Sequence, residues 1–246
     1  TKLQCIKRKV RIIMGAYVGP DIAIEEGLVL NIDAANPSSY PGSGTTVANM
    51  NNSTSIPNVG TFIANPTFSS EKAGAFNFDG VDSYIQVDPP IPQATTEITV
   101  NAWFKGTSQG SNSGANVIFV GNPNLSHGPY LGYDYNNERI YWGVYINQTY
   151  NIVSGFTQDT IWNVCSTFSR PTLKTYKNGV LVDTDTQNTD VTYQNNTSGN
   201  RIGEWGYAGY QRTFEGQIYL IQVYNRELSQ AEILQNYNAL KPRFIN

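Results

Sequence analysis

A nucleophile with its base is the first thing to look for, and the chain offers one histidine, His127, and two cysteines, Cys5 and Cys165. His127 lies in Asn124-Leu125-Ser126-His127-Gly128-Pro129, a turn composition, where a lone histidine usually sits in solvent. Cys165 is flanked by Trp162, Val164 and Phe168, where a thiol behaves as a small core residue. A triad of Cys165, His127 and an aspartate is the one nucleophilic arrangement these residues leave open. One His and two distant Cys do not make a tetrahedral zinc site. The cysteines read as two unrelated thiols, with a bridge between them as the alternative. Gly42-Ser43-Gly44-Thr45-Thr46 lacks the lysine of a phosphate-binding loop and reads as a flexible turn.

Hard oxygen donors suit calcium, and Asp79 and Asp82 around Gly80 are the candidates. The plainer reading of Asp79-Gly80 is a turn, and no cofactor is expected. Recognition needs aromatic platforms with polar neighbours. Tyr130, Tyr133 and Tyr135 alternate, so on a strand the last two share a face. Trp205, Tyr207 and Tyr210 fall in a glycine-punctuated stretch that reads as a loop, where exposed aromatics suggest contact. Tyr133, Tyr135, Trp205, Tyr207 and Tyr210 are therefore the candidate glycan- or partner-binding residues.

These side chains need a scaffold, and composition says which kind. Charged residues are only 14% and aromatics 12%, with 22 Gly and 12 Pro, which suits short strands joined by polar loops. No apolar run approaches the ~18 residues of a membrane span, so no membrane partner is expected. Residues 1–13 hold Lys2, Lys7, Arg8, Lys9 and Arg11 and no acid, leaving 11 basic against 19 acidic residues in 14–246. A body at −8 is no nucleic-acid footprint, whereas the basic tail suits anchoring on an acidic partner surface.

Strand signals recur from residue 27 onward. Gly27 to Asp33 is a compact apolar run, followed by a loop rich in Asn, Pro, Ser and Gly to about residue 60. Ala75 to Phe78 and Ser83 to Val87 flank Asp79-Gly80, which is either a hairpin turn or a strand break. Ile98 to Phe104 alternates like a half-buried strand. Leu173 to Lys177 and Val180 to Val182, joined by Asn178-Gly179, form the clearest hairpin, of type I′. About a dozen strands at this spacing predict an all-β, two-sheet antiparallel sandwich. One C-terminal helix is predicted, with Ser229 and Glu232 as a capping box, Ile233, Leu234, Tyr237 and Leu240 as its apolar face, and Pro242 as its end. It is expected to cross one end of the sandwich. Residues 1–26 read as an N-terminal arm and 27–246 as one domain.

The segments Phe76 to Ile85, Ile98 to Phe104, Tyr176 to Val180, Phe214 to Ile218, Val223 to Ser229 and Ala231 to Ile233 resemble the laminin-G-like jelly roll of the concanavalin A-like lectin and glucanase superfamily. The resemblance covers about residues 27–240 and implies a jelly-roll sandwich closed by a helix. Glucanases of that superfamily carry Glu-x-Asp-x-x-Glu on one strand, which sets paired carboxylates on one face. Here Glu204 is followed by Trp205-Gly206-Tyr207 and Glu215 by Gly216-Gln217-Ile218, so neither has its partner and no enzyme is expected. Members with calcium often carry an acid where Ser83 stands and Ile-Asp-Glu where this chain has Ile218-Tyr219-Leu220.

Met14 to Tyr17 and Gly27 to Thr46 are similar to the opening of structural proteins of tailed phages, particularly those of cyanobacterial hosts. That likeness implies a non-enzymatic virion protein on the particle surface. It would be a capsid decoration or tail-fibre subunit that docks on other virion proteins through the arm, alone or as a homo-oligomer. The alternative is an adhesin that recognises host-surface glycan through the 204–210 stretch.

Overall fold

The computed structural model describes residues 24–51, 59–91, 96–107, 116–121, 127–145, 150–187, 199–207 and 210–245. The strands are β1 (Leu28–Asp33), β2 (Thr46–Ala48), β3 (Val59–Ile63), β4 (Thr67–Ser69), β5 (Ala75–Asp79) and β6 (Tyr84–Asp88). Next come β7 (Glu97–Gly106), β8 (Asn116–Val120), β9 (His127–Asp134), β10 (Arg139–Tyr145), β11 (Asn151–Ser154) and β12 (Trp162–Ser169). Last are β13 (Thr172–Lys177), β14 (Val180–Thr186), β15 (Asn200–Ile202), β16 (Glu204–Tyr207), β17 (Tyr210–Thr213) and β18 (Glu215–Tyr224). Among the described residues one α-helix, α1 (Gln230–Phe244), follows them.

The first sheet runs β14-β13-β12-β7-β18-β5-β4, with β1 also paired to β18. The second runs β11-β10-β9-β8-β15-β6-β3-β2, and β16 and β17 form a separate hairpin. All pairings are antiparallel, and the expected two-sheet sandwich with one C-terminal helix is the fold found. Ile98, Val100, Ala102 and Phe104 of β7 point between the sheets and meet Ile118, Phe119, Leu131, Tyr133, Ile140 and Trp142 of the second sheet. Removing each of the larger aliphatic and phenyl side chains from water contributes about 1.5–3 kcal/mol.

β7 is not half-buried as its alternation suggested, because Thr99, Asn101 and Trp103 on its other face are covered too. Helix α1 lies over that outer face of the first sheet rather than across one end of the sandwich. Trp103 stacks on Phe244 at 4.1 Å and Tyr237 at 5.6 Å, while Cys165, Tyr176, Tyr224 and Leu228 gather against Ile233. Burial pushes the Cys165 thiol well up, and its thiol side faces the helix on the first sheet while His127 lies on the second. A shared nucleophilic centre is thereby excluded.

The capping box at Ser229 forms as expected. Leu234 faces solvent at 41% exposure, and Asn236 and Phe244 take buried positions instead. Pro242 does not end the helix but sits in its last turn. That turn is held by Arg243, which donates to the carbonyls of Lys72 and Gly74 and to Asp33 Oδ1, each at 2.7 Å. Among the described residues no helix is long and apolar enough to cross a membrane.

The Asn178-Gly179 turn has φ 51° and 77°, as a type I′ hairpin requires. Asp79-Gly80, by contrast, is a strand break: β5 belongs to the first sheet and β6 to the second. Asp79 Oδ1 builds that crossing by accepting from the backbone of Val81, Asp82 and Ser83 and from the Ser83 hydroxyl. Although burial opposes it, these bonds hold the Asp79 carboxyl below its ordinary value.

The start of α1 carries a pH-dependent contribution. Arg226 grips Glu232 through two bonds, at 2.6 and 3.1 Å, and with the Ser229 cap it brings the Glu232 carboxyl from an ordinary 4.5 down to about 2. A depressed carboxylate stabilises the fold above pH 4.5 and loses that contribution as pH falls from 4.5 toward 2. Allowing for partial exposure, the effect is about 1–2 kcal/mol. Glu232→Gln should therefore show a smaller fall in thermal midpoint than the parent protein across that window. Parallel curves for the two proteins would refute the assignment.

Candidate binding face

The alternation of β9 and β10 decides which side chains are available. Leu131, Tyr133, Ile140, Trp142 and Val144 point into the core, so Tyr130, Gly132, Asp134, Arg139 and Tyr141 point away from it. The β16–β17 hairpin folds over this outer face at β8, where Trp205 packs on Val117, Val120 and Tyr130, with Tyr141 and Tyr150 alongside. The rings form a chain: Trp205–Tyr130 at 6.2 Å, Tyr130–Tyr150 at 5.9 Å and Tyr150–Tyr141 at 5.9 Å. Trp205 and Tyr130 are its sealed end, at 5% and 1% exposure, and Tyr141 and Tyr150 are its half-open end.

Gly132 makes room for this arrangement. A Cβ there would come within 2.7 Å of the Tyr130 hydroxyl, so only glycine lets that ring lie along the strand.

Polar groups frame the aromatic chain. Asp134 Oδ2 accepts from Arg139 at 3.0 Å and from Asn137 Nδ2 at 2.8 Å, and Arg139 also donates to the Tyr141 hydroxyl at 3.0 Å. Burial raises the Asp134 carboxyl, but the bonds from Asn137 and Arg139 outweigh it and leave the group below its ordinary value. Arg139 Nε is buried without a hydrogen-bond partner among the described residues. On the β6–β15 side, Arg201 pairs with Glu204 at 2.7 Å, bonds Gln86 Oε1 and lies 4.5 Å from the Tyr84 ring centroid. Burial raises the Glu204 carboxyl, and Arg201 only partly offsets it.

The structure separates the residues singled out in the sequence. Tyr133 is a core residue, 1% exposed, with its ring 5.4 Å from Phe104 and its hydroxyl donating to the Phe156 carbonyl at 2.9 Å. It cannot reach a ligand. Tyr133 and Tyr135 do share a face, but it is the inner one, and Tyr135 packs half-buried at the core's edge. The neighbouring Leu131 is the signal that marks that face as inward. Trp205 is not an exposed loop residue: residues 204–207 pair with 210–213 in a hairpin that turns its indole onto the sheet. The side chains of Tyr207 and Tyr210 lie outside the described residues, as do Lys2, Lys7, Arg8, Lys9 and Arg11. Of the arm, Ile24 packs beside Leu28 and Tyr224, and the Glu26 carbonyl accepts from Arg226, so its described end lies against the body. Asp79 and Asp82 belong to the sheet crossing. Tyr141, Tyr150, Arg139 and Asp134 went unnoticed in the sequence, because only the pairing of β9 with β10 and the folded hairpin gathers them on one face.

A family model for laminin G domains of the concanavalin A-like lectin/glucanases superfamily matches residues 79–234. No curated protein matches the sequence. Among solved structures, the fold is similar to botulinum neurotoxin type C, whose uptake by cells depends on interaction with two ganglioside molecules (TM-score 0.63, 12% identity, 87% of this chain and 51% of that one). It is also similar to the binding domain of Paraclostridial mosquitocidal protein 1 (TM-score 0.63, 10% identity, 87% and 52%). A third is the binding domain of botulinum neurotoxin DC in complex with SialylT (TM-score 0.60, 12% identity, 87% and 52%). This chain spans about half the length of these structures.

Proposed function

Because the chain belongs to the concanavalin A-like lectin/glucanases superfamily, as a lectin-like jelly-roll binding domain, we propose that it recognises glycan without transforming it. The recognition surface is the outer face of the second sheet, at β9 and β10. One observation carries the reading: a row of edge-to-face aromatic rings ends half-open at Tyr141 and Tyr150, beside a fixed Asp134–Arg139–Asn137 cluster. Aromatic planes with a few fixed polar groups are what a ligand site for a flat, hydroxylated molecule needs. The buried carboxylates here, Asp134 and Glu204, are each engaged by an arginine, which suits holding a sugar more than cleaving one. Similar folds that engage gangliosides and SialylT agree with this reading.

A glycan array probed with the parent protein, Tyr141→Ala and Gly132→Ala tests it. The parent should give a specific signal. Tyr141→Ala should lower affinity at least tenfold, about 1.4 kcal/mol. Gly132→Ala should do the same without touching the ligand, by displacing the Tyr130 ring. Signals unchanged in both variants would remove the face from consideration, and turnover of a bound sugar would replace the binding module with a hydrolase.

A second reading, in which the module sits on a phage particle and docks through its arm, rests on the likeness of Met14 to Tyr17 and Gly27 to Thr46. Deleting residues 1–23 should then abolish particle attachment while glycan binding persists. Attachment that survives the deletion would dismiss it.

A further inference from the structure

Resting on the glycan reading above, we infer that the ligand is an anionic sugar whose oxyanion is taken by Arg212. The face bears arginines in two different states. Arg139 and Arg201 are each neutralised, by Asp134 at 3.0 Å and Glu204 at 2.7 Å. Arg212, on β17, has no carboxylate within 4.0 Å among the described residues. It is half-buried, with its guanidinium 5.2 Å from the Trp205 ring centroid and beside the Tyr130 hydroxyl.

An aromatic face and one phenol oxygen satisfy only part of a guanidinium, which is always charged and offers five donors in a planar fork. That fork matches the two oxygens of a carboxylate, or two oxygens of a sulfate. Burial of such a group without a counter-charge is costly, and an anion arriving from solution removes the cost. The position suits the ligand as well. Arg212 stands at the sealed end of the aromatic row, over Trp205 and Tyr130, while the half-open rings of Tyr141 and Tyr150 lie next along it. A sugar lying on the tyrosines would thus direct an acidic substituent toward Arg212. The body of the chain is acidic overall, so general electrostatic attraction to an anion does not arise there.

The test uses the full chain and oligomers of galacturonic acid, their methyl esters, sulfated galactan oligomers and neutral galactan oligomers, measured by calorimetry. The parent protein should bind the free acid or the sulfate roughly tenfold or more tightly than the uncharged forms. R212Q should erase that preference while uncharged oligomers bind within about twofold of the parent. A preference for uronate assigns a carboxylate ligand, and one for the galactan sulfate assigns a sulfate. A variant with Lys7, Arg8 and Lys9 changed to Gln should keep the preference. Loss of preference in that variant would move the effect to the arm and overturn the inference. So would equal binding of charged and uncharged oligomers, which leaves glycan recognition itself standing. Binding of no oligomer of any kind would instead fell the glycan reading, and this inference with it.

Discussion

Trp103→Ala should cost about 3–5 kcal/mol and lower the thermal midpoint by on the order of 10 °C. The indole is fully buried on the outer face of the first sheet, stacked on Phe244 at 4.1 Å and on Tyr237 at 5.6 Å. It is thus the anchor for the C-terminal half of α1, with Tyr219, Leu220 and Leu240 packed around it. Alanine would leave a cavity lined by rings that are fixed by the sheet on one side and the helix on the other, so collapse is limited. Trp103→Phe isolates the cause. It keeps an aromatic stack and removes Nε1, which is buried without a hydrogen-bond partner among the described residues, so it should cost under about 1.5 kcal/mol. Equal losses from Ala and Phe in chemical denaturation would show that stacking on α1 is not what the residue contributes.

Asn101→Leu should cost about 2–4 kcal/mol, because it breaks a buried row of amides that crosses the first sheet under α1. Asn163 Nδ2 donates to Asn101 Oδ1 at 2.8 Å, Asn101 Nδ2 to Gln222 Oε1 at 2.9 Å, and Gln222 Nε2 to Asn31 Oδ1 at 3.4 Å. Asn49 closes the row by bonding the backbone of Asn31 and Val29. The five amide residues are at most 4% exposed, and the row separates the Trp103 cluster from the Cys165–Tyr224 cluster. Leucine at 101 would leave the Gln222 carbonyl without its donor and Asn163 with only the Ala102 carbonyl at 3.2 Å. The triple change of Asn101, Asn163 and Gln222 to leucine removes donors and acceptors together and should recover most of the loss. A single variant within about 0.5 kcal/mol of the parent would mean that the row carries little stability.

These two sites also mark where the sequence is mute. Thr99-Asn101-Trp103 alternating with Val100 and Ala102 reads as one wet face and one dry face, since nothing local says that a helix more than a hundred residues later will cover the polar side. The strands themselves were legible wherever β-branched and aromatic residues run together, as in β1 and β7, and the Asn178-Gly179 turn was legible because its chemistry is local. β2 and β11 were not, being short and set among Asn, Ser and Gly. Asp79-Gly80 announced a turn, but whether the chain pairs back or crosses to the other sheet depends on distant strands. The candidate face was the least legible. Alternation grouped Tyr133 with Tyr135 correctly but does not say which face is inward, and glycines around Trp205 suggested a loop where a hairpin folds back. Asp134, Arg139 and Tyr141 meet only through cross-strand register, and Arg212 reaches Trp205 only because the hairpin pairs them.

In the proposed function, sugar lies on the outer face of the second sheet. A crystal structure of the chain soaked with the strongest array ligand tests it most directly. A sugar ring over Tyr141 and Tyr150, with hydroxyls toward Asp134 and Arg139, is the result expected. A ligand seated instead at the Asp79–Asp82 crossing, or on the helix-covered sheet, would rule out the β9–β10 face as the sugar site.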